Sequence, residues 1–167
     1  MAKKKSKNNS TIFDLVAFIF AGAVFGLLAM PYILNKASVL GRETVKGISG
    51  YNLLNFEVED KTFAILVLLL IIFAGLTVIF SLLKTAVDAK MITNKTFIKV
   101  TKFCLLVCSL ALVVTSIVTM IMIPTKCDEF AITGIVSAGN YAGWLGLILT
   151  TVASILSFGS NILSLKK

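Results

Sequence analysis

Residues 63–83 read FAILVLLLIIFAGLTVIFSLL, a run without a single charged side chain. Within it, residues 65–73 (ILVLLLIIF) contain nothing polar or small. A helix needs about 20 largely apolar residues to cross the hydrocarbon of a bilayer. The run is long enough, so it reads as a spanning helix and the chain as an integral membrane protein. Three more apolar runs, residues 12–34, 103–123 and 141–164, read the same way. None alternates with period two, as the strands of a membrane barrel do. The expected fold class is an all-α membrane protein, a four-transmembrane-helix bundle.

Composition agrees. Of 167 residues, 57% are hydrophobic and 14% charged, whereas a soluble domain has about 45–50% apolar and about 25% charged residues. A soluble globular domain, a disordered chain and a collagen-like chain are excluded. The net charge of +8 would suit nucleic acid. The lysines lie between apolar blocks, however, and read as topology signals and contacts to anionic lipids at the cytoplasmic face, not as a nucleic-acid site.

Those lysines also set direction. Residues 1–11 hold Lys3, Lys4, Lys5 and Lys7; residues 84–102 hold Lys84, Lys90, Lys95, Lys99 and Lys102; residues 165–167 hold Lys166 and Lys167. The connections 35–62 and 124–140 share only Lys36, Arg42, Lys46, Lys61 and Lys126. The positive-inside rule places both termini and 84–102 in the cytoplasm, with the other two connections outside. Tyr32, Tyr141 and Trp144 then fall at the outer boundary, where amphipathic rings prefer to sit. A basic start followed by an apolar run also describes a secretory signal, but this run exceeds a typical signal core and no small-x-small cleavage pattern follows it. One arginine among the 16 basic residues, with many Ile and Asn, reads as a bacterial chain from an AT-rich genome. The expected location is its plasma membrane, multi-pass.

Lipid is as apolar as leucine, so membrane helices associate through close packing of small residues and a few hydrogen bonds. The fourth run carries Gly143, Gly146, Thr150, Ala153, Ser157, Ser160 and Ser164 at spacings of three and four. The third carries Thr101, Cys104, Cys108, Ala111 and Thr115, the second Ala74, Thr77 and Ser81, and the first Gly22 and Gly26, extended by Ala29. Each seam lets a neighbouring backbone approach closely. Packing within the bundle accounts for them; a face toward another subunit, at Gly22 and Gly26, is the sharper alternative.

Chemistry finds few groups to work with. The chain has no histidine, no Gly-x-Ser-x-Gly elbow and no P-loop. Asp14 is the only acid inside an expected span, three residues after Thr11 in the spacing of a capping box. It reads as a capping acid, too shallow for a mid-membrane coupling carboxylate. Cys104 and Cys108, four apart on a helix, have Cβ atoms about 5–6 Å apart, beyond the about 3.5–4.5 Å of a disulfide. They read as packing residues. No enzyme, cofactor or metal site is expected.

The connection 35–62 is the longest polar piece. Residues 43–47 and 55–59 alternate in part like half-buried strands, with Gly47 and Gly50 as turn residues, and 129–134 offers another strand. A small extracellular β-sheet from the first and third connections is expected. Within 48–56 (ISGYNLLNF), Tyr51, Leu53, Leu54 and Phe56 either contact a partner or seat the loop on the helix ends.

Four helices with a long, strand-bearing first outer loop and a shorter second one resemble the layout of claudin-like tetraspan membrane proteins. The claudin signature of a Trp, a Gly-Leu-Trp and two loop cysteines does not occur here, nor does the Cys-Cys-Gly of tetraspanins. Ser49-Gly50-Tyr51-Asn52-Leu53-Leu54 is similar to a segment of small bacterial four-helix membrane proteins of unassigned role. The expectation is a non-enzymatic accessory or assembly subunit, or a homo-oligomeric scaffold, with a membrane protein or a second copy as partner. The alternative is a small channel or transporter subunit with a path lined by Thr77, Ser81, Thr115, Ser116, Thr119, Thr150 and Ser154.

Overall fold

The structure, a computed structural model, describes residues 2–39, 42–54, 61–126 and 137–165. Its elements are α1 (Ala2–Leu27), β1 (Pro31–Val39), β2 (Arg42–Ser49), α2 (Gly50–Leu53), α3 (Thr62–Asp88), α4 (Lys95–Lys126), β3 (Ser137–Ala142) and α5 (Trp144–Leu165). The chain is mostly helical. Helix α1 packs on α3 and α5, and α4 packs on the same two.

Three helices, α3, α4 and α5, are long and apolar enough to cross a membrane. Their polarity is inverted relative to a soluble protein. On α5 the outward residues are Leu145, Ile148, Leu149, Val152, Ile155, Leu156 and Leu163, while the buried ones include Thr150, Thr151, Ser154, Ser157, Ser160, Asn161 and Ser164. On α3 Ile65, Leu68, Ile72, Ile79 and Leu82 face outward. Large apolar side chains outside and small or polar ones inside is the arrangement lipid favours.

The first apolar run departs from the 12–34 reading. Helix α1 closes at Leu27 because Pro31 bars the residue before it from helical backbone and offers no amide of its own. Ala29 and Met30 tighten the exit through short bonds to Gly26 and Leu27 carbonyls, 3.1 and 3.0 Å. The apolar part of α1, Ile12–Leu27, is about 24 Å long at 1.5 Å per residue. At its other end α1 starts at Ala2, so Thr11 and Asp14 are interior helical positions and Asp14 caps nothing.

The sheet is there, three-stranded and antiparallel in the order β2-β1-β3. Its strands are shifted from expectation. The apolar residues 31–34 open β1, with Tyr32 and Ile33 fully buried in the core. The 43–47 segment lies in β2, paired with β1 (Thr44 opposite Ala37, Lys46 opposite Asn35). Gly47 is a strand residue beneath Pro31, whose Cβ stands 2.8 Å from where a Gly47 Cβ would be. Strand β3 covers Tyr141, taken above as the start of the fourth helix, and pairs Tyr141 with Leu34. Segments 55–59 and 129–134 lie outside the described residues.

The connection 84–102 is mostly helix. Helix α3 runs through Asp88 and ends with Lys90 in the left-handed region (φ 63), the Met91 amide reaching back 3.1 Å to the Ala86 carbonyl as in a Schellman turn. Asn94 opens α4, its Oδ1 accepting from the amides of Thr96 and Phe97 at 3.0 and 3.2 Å.

Candidate functional site

The end of the helices away from the sheet holds a buried cluster of charge. Lys84, counted above as a loop lysine, is 1% exposed, and Asp14 is 2% exposed. The lysine ammonium lies 2.7 Å from both carboxylate oxygens of Asp14, 2.5 Å from Ser164 Oγ and 3.0 Å from Asp88 Oδ2. Ser164 accepts from the lysine and donates to Asp14 Oδ1. All three ammonium protons are thus directed at oxygen, and the cluster joins α1, α3 and α5. A charge deep in a membrane helix costs about 2.5–3.5 kcal/mol on insertion scales, so such residues are rare and paired. Asp88, one turn beyond Lys84, is 30% exposed and forms the solvent end.

Sequence reasoning missed this pairing because it assigned each residue a local role. A signal was present: Asp14 and Lys84 carry opposite charge, one near the start of the first apolar run and the other at the end of the second.

The hydroxyls proposed to line a path are buried, and six of the seven are committed to their own helix. Thr77 donates to Phe73, Thr115 to Ala111, Ser116 to Val113, Thr119 to Thr115, Thr150 to Gly146 and Ser154 to Thr150, at 2.7 to 2.8 Å. Among the described residues Ser81 Oγ has no hydrogen-bond partner, nor have Asn35 Nδ2 and both amide atoms of Asn161. Of the predicted packing residues, Gly143, at the junction of β3 and α5, and Gly146, Thr150, Ala153 and Ser157 on α5 are all buried. Ser157 also donates across to the Ala17 carbonyl of α1, 3.0 Å. Gly22 and Gly26 differ: a Cβ at either would meet nothing within 4 Å, so they form no seam among the described residues, and α1 instead buries Asp14, Ala17, Ala21 and Val24. Cys104 and Cys108 are free thiols.

At the sheet end, segment 48–54 straps the exit of α1. The Tyr51 hydroxyl donates to the Phe25 carbonyl at 2.8 Å and its amide to the Leu28 carbonyl at 3.3 Å. These are carbonyls a helix terminus leaves without intrahelical partners. Ser49 caps α2 by accepting from the Asn52 amide, 3.2 Å. Leu53 is buried, Leu54 packs against the core and Tyr51 keeps an exposed edge. Phe56 lies outside the described residues. Tyr51, Leu53 and Leu54 thus seat the loop.

Tyr32 is fully buried, not at a lipid boundary; Tyr141 and Trp144 are the exposed rings. Its hydroxyl is 2.7 Å from Thr150 Oγ1. Because Thr150 spends its only proton on Gly146, Tyr32 is the donor. Burial pushes its phenol up from 10.0 to about 12. The unfolded chain therefore ionises this phenol first, so its contribution is intact below pH 10 and fades as pH rises toward 12. Tyr32→Phe is expected to cost about 1 kcal/mol and to remove a late-ionising tyrosine from an ultraviolet titration of the folded protein. A titration unchanged by the substitution would refute this.

Comparison with protein-family models, with curated proteins and with solved structures returned no match.

Proposed function

We propose that the chain is a four-span, multi-pass protein of a bacterial plasma membrane, with both termini and connection 89–94 inside and the sheet outside. It works by binding, as an accessory or assembly subunit of a larger membrane complex or as a homo-oligomeric scaffold. The observation that carries this reading is the closed interior: six hydroxyls bonded back to their own helices and a lysine neutralised by acids beside it. Hydroxyls bonded to their own backbone are packing groups, not the lining of a path. The short apolar part of α1 spans by drawing its basic flank toward the headgroups. Lys90, Lys95, Lys99 and Lys102 contact anionic lipid at the inner face.

The sheet supplies the binding surface. Residues 44–47 of β2 are all exposed, Val45 among them, and β2 is an edge strand. The test is affinity isolation from native membranes in a gentle detergent, with mass spectrometry of what co-purifies. Val45→Asp should release the partner while the protein stays folded, and Tyr51→Phe, which removes only the strap bond to Phe25, should retain it. Equal recovery from wild type and Val45→Asp would sink the loop reading. Liposome flux that Thr115→Val abolishes would favour the channel alternative.

A further inference from the structure

Along α5, Ser157, Asn161 and Ser164 recur at spacings of four and three, so they share one helix face. Ser157 bonds to Ala17 of α1 and Ser164 to Asp14 of α1. Asn161 lies between these two contacts along α5. On α3, Ser81 precedes Lys84 by three residues and shares its face. Since Lys84 and Ser164 meet, and α3 and α5 both run from the sheet end, Ser81 and Asn161 both stand about 4.5 Å nearer the sheet than that meeting point. Asn161 is 1% and Ser81 2% exposed. Three polar atoms there, Ser81 Oγ, Asn161 Nδ2 and Asn161 Oδ1, have no hydrogen-bond partner.

We propose that Asn161 and Ser81 line a buried water-binding site on the sheet-ward side of the Lys84–Asp14–Ser164 cluster. The donor set selects the ligand. A bare cation would satisfy the oxygens and repel the amide nitrogen; an anion would do the reverse. Water accepts from Nδ2 and donates to Oδ1, and a buried water takes two to four polar partners. The site ends at Thr77, whose hydroxyl is committed to Phe73. Toward the inner side it adjoins the charged cluster, which reaches solvent through Asp88. Water therefore exchanges from that end alone and hydrates the Lys84–Asp14 pair from above. Only the sidedness rests on the orientation proposed above.

The experiment uses the full chain with Cys104, Cys108 and Cys127 replaced by Ala, and Ser81→Cys or Thr77→Cys added. Each is treated with a small water-soluble methanethiosulfonate, which reacts with hydrated, ionisable thiols. In solubilised protein, where orientation is irrelevant, Ser81→Cys should label about tenfold faster or more than Thr77→Cys, one turn further in. Equal, slow labelling overturns the proposal. Asn161→Leu supplies a second readout. If water satisfies the amide, the substitution lowers the melting temperature; a rise, as from deleting a dry unpaired amide, overturns the proposal. Labelling of Thr93→Cys in sealed vesicles tests the orientation separately.

Discussion

Lys84→Ala is expected to be the most damaging single substitution in the half away from the sheet, costing about 3–5 kcal/mol, the range for removing one partner of a buried ion pair. The loss comes less from the missing attraction than from the carboxylate left behind. Asp14 would keep Ser164 as a donor but lose the ammonium that lies against both of its oxygens. Replacing both partners together should be far milder, because well-packed apolar substitutes for a buried pair are often neutral or stabilising. The check is a thermal-unfolding series in detergent on Lys84→Ala, Asp14→Leu and the combination Asp14→Leu with Lys84→Met. A double variant as unstable as the sum of the singles would show that the pair is not the unit described here.

Gly143→Ala should rival it at the sheet end. A Cβ there would stand 2.1 Å from the Pro31 carbonyl oxygen and 2.9 Å from the Tyr32 carbonyl carbon. Those are backbone atoms and cannot turn aside. The Gly143 amide also donates to the Tyr32 carbonyl at 2.7 Å, so any shift that relieves the clash breaks the junction of β1 and α5. About 3 kcal/mol, the upper end for overpacking, is expected. Gly26→Ala is the control, since its added methyl meets open space. It should be neutral or slightly stabilising, as alanine is the better helix former. Similar melting temperatures for Gly143→Ala and wild type would refute the close approach.

The long apolar helices were legible because a spanning segment announces itself in consecutive residues. Helices α3, α4 and α5 contain the expected runs 63–83, 103–123 and most of 141–164, and the packing residues of α5 were readable from spacing alone. The exit of α1 was misjudged because residues 31–34 are apolar for a different reason: they form the first residues of β1, where Tyr32 and Ile33 enter the core. Pro31 was the cue. Lys84 was misread because hydropathy scores a lysine without reference to what stands opposite it, and Asp14 lies 70 positions away. Tyr51 shows the same limit, since its strap to Phe25 exists only once α1 has ended.

The charged cluster also orders the making of the protein. Asp14 emerges with the first helix, the one with the shortest apolar stretch. Its counter-ion is translated 70 positions later, and Ser164, which bridges the two, 150 positions after Asp14. Until α3 is made, every nascent chain carries Asp14 in α1 without the Lys84 that neutralises it. The cluster is therefore complete only when the last helix, carrying Ser164, has been made.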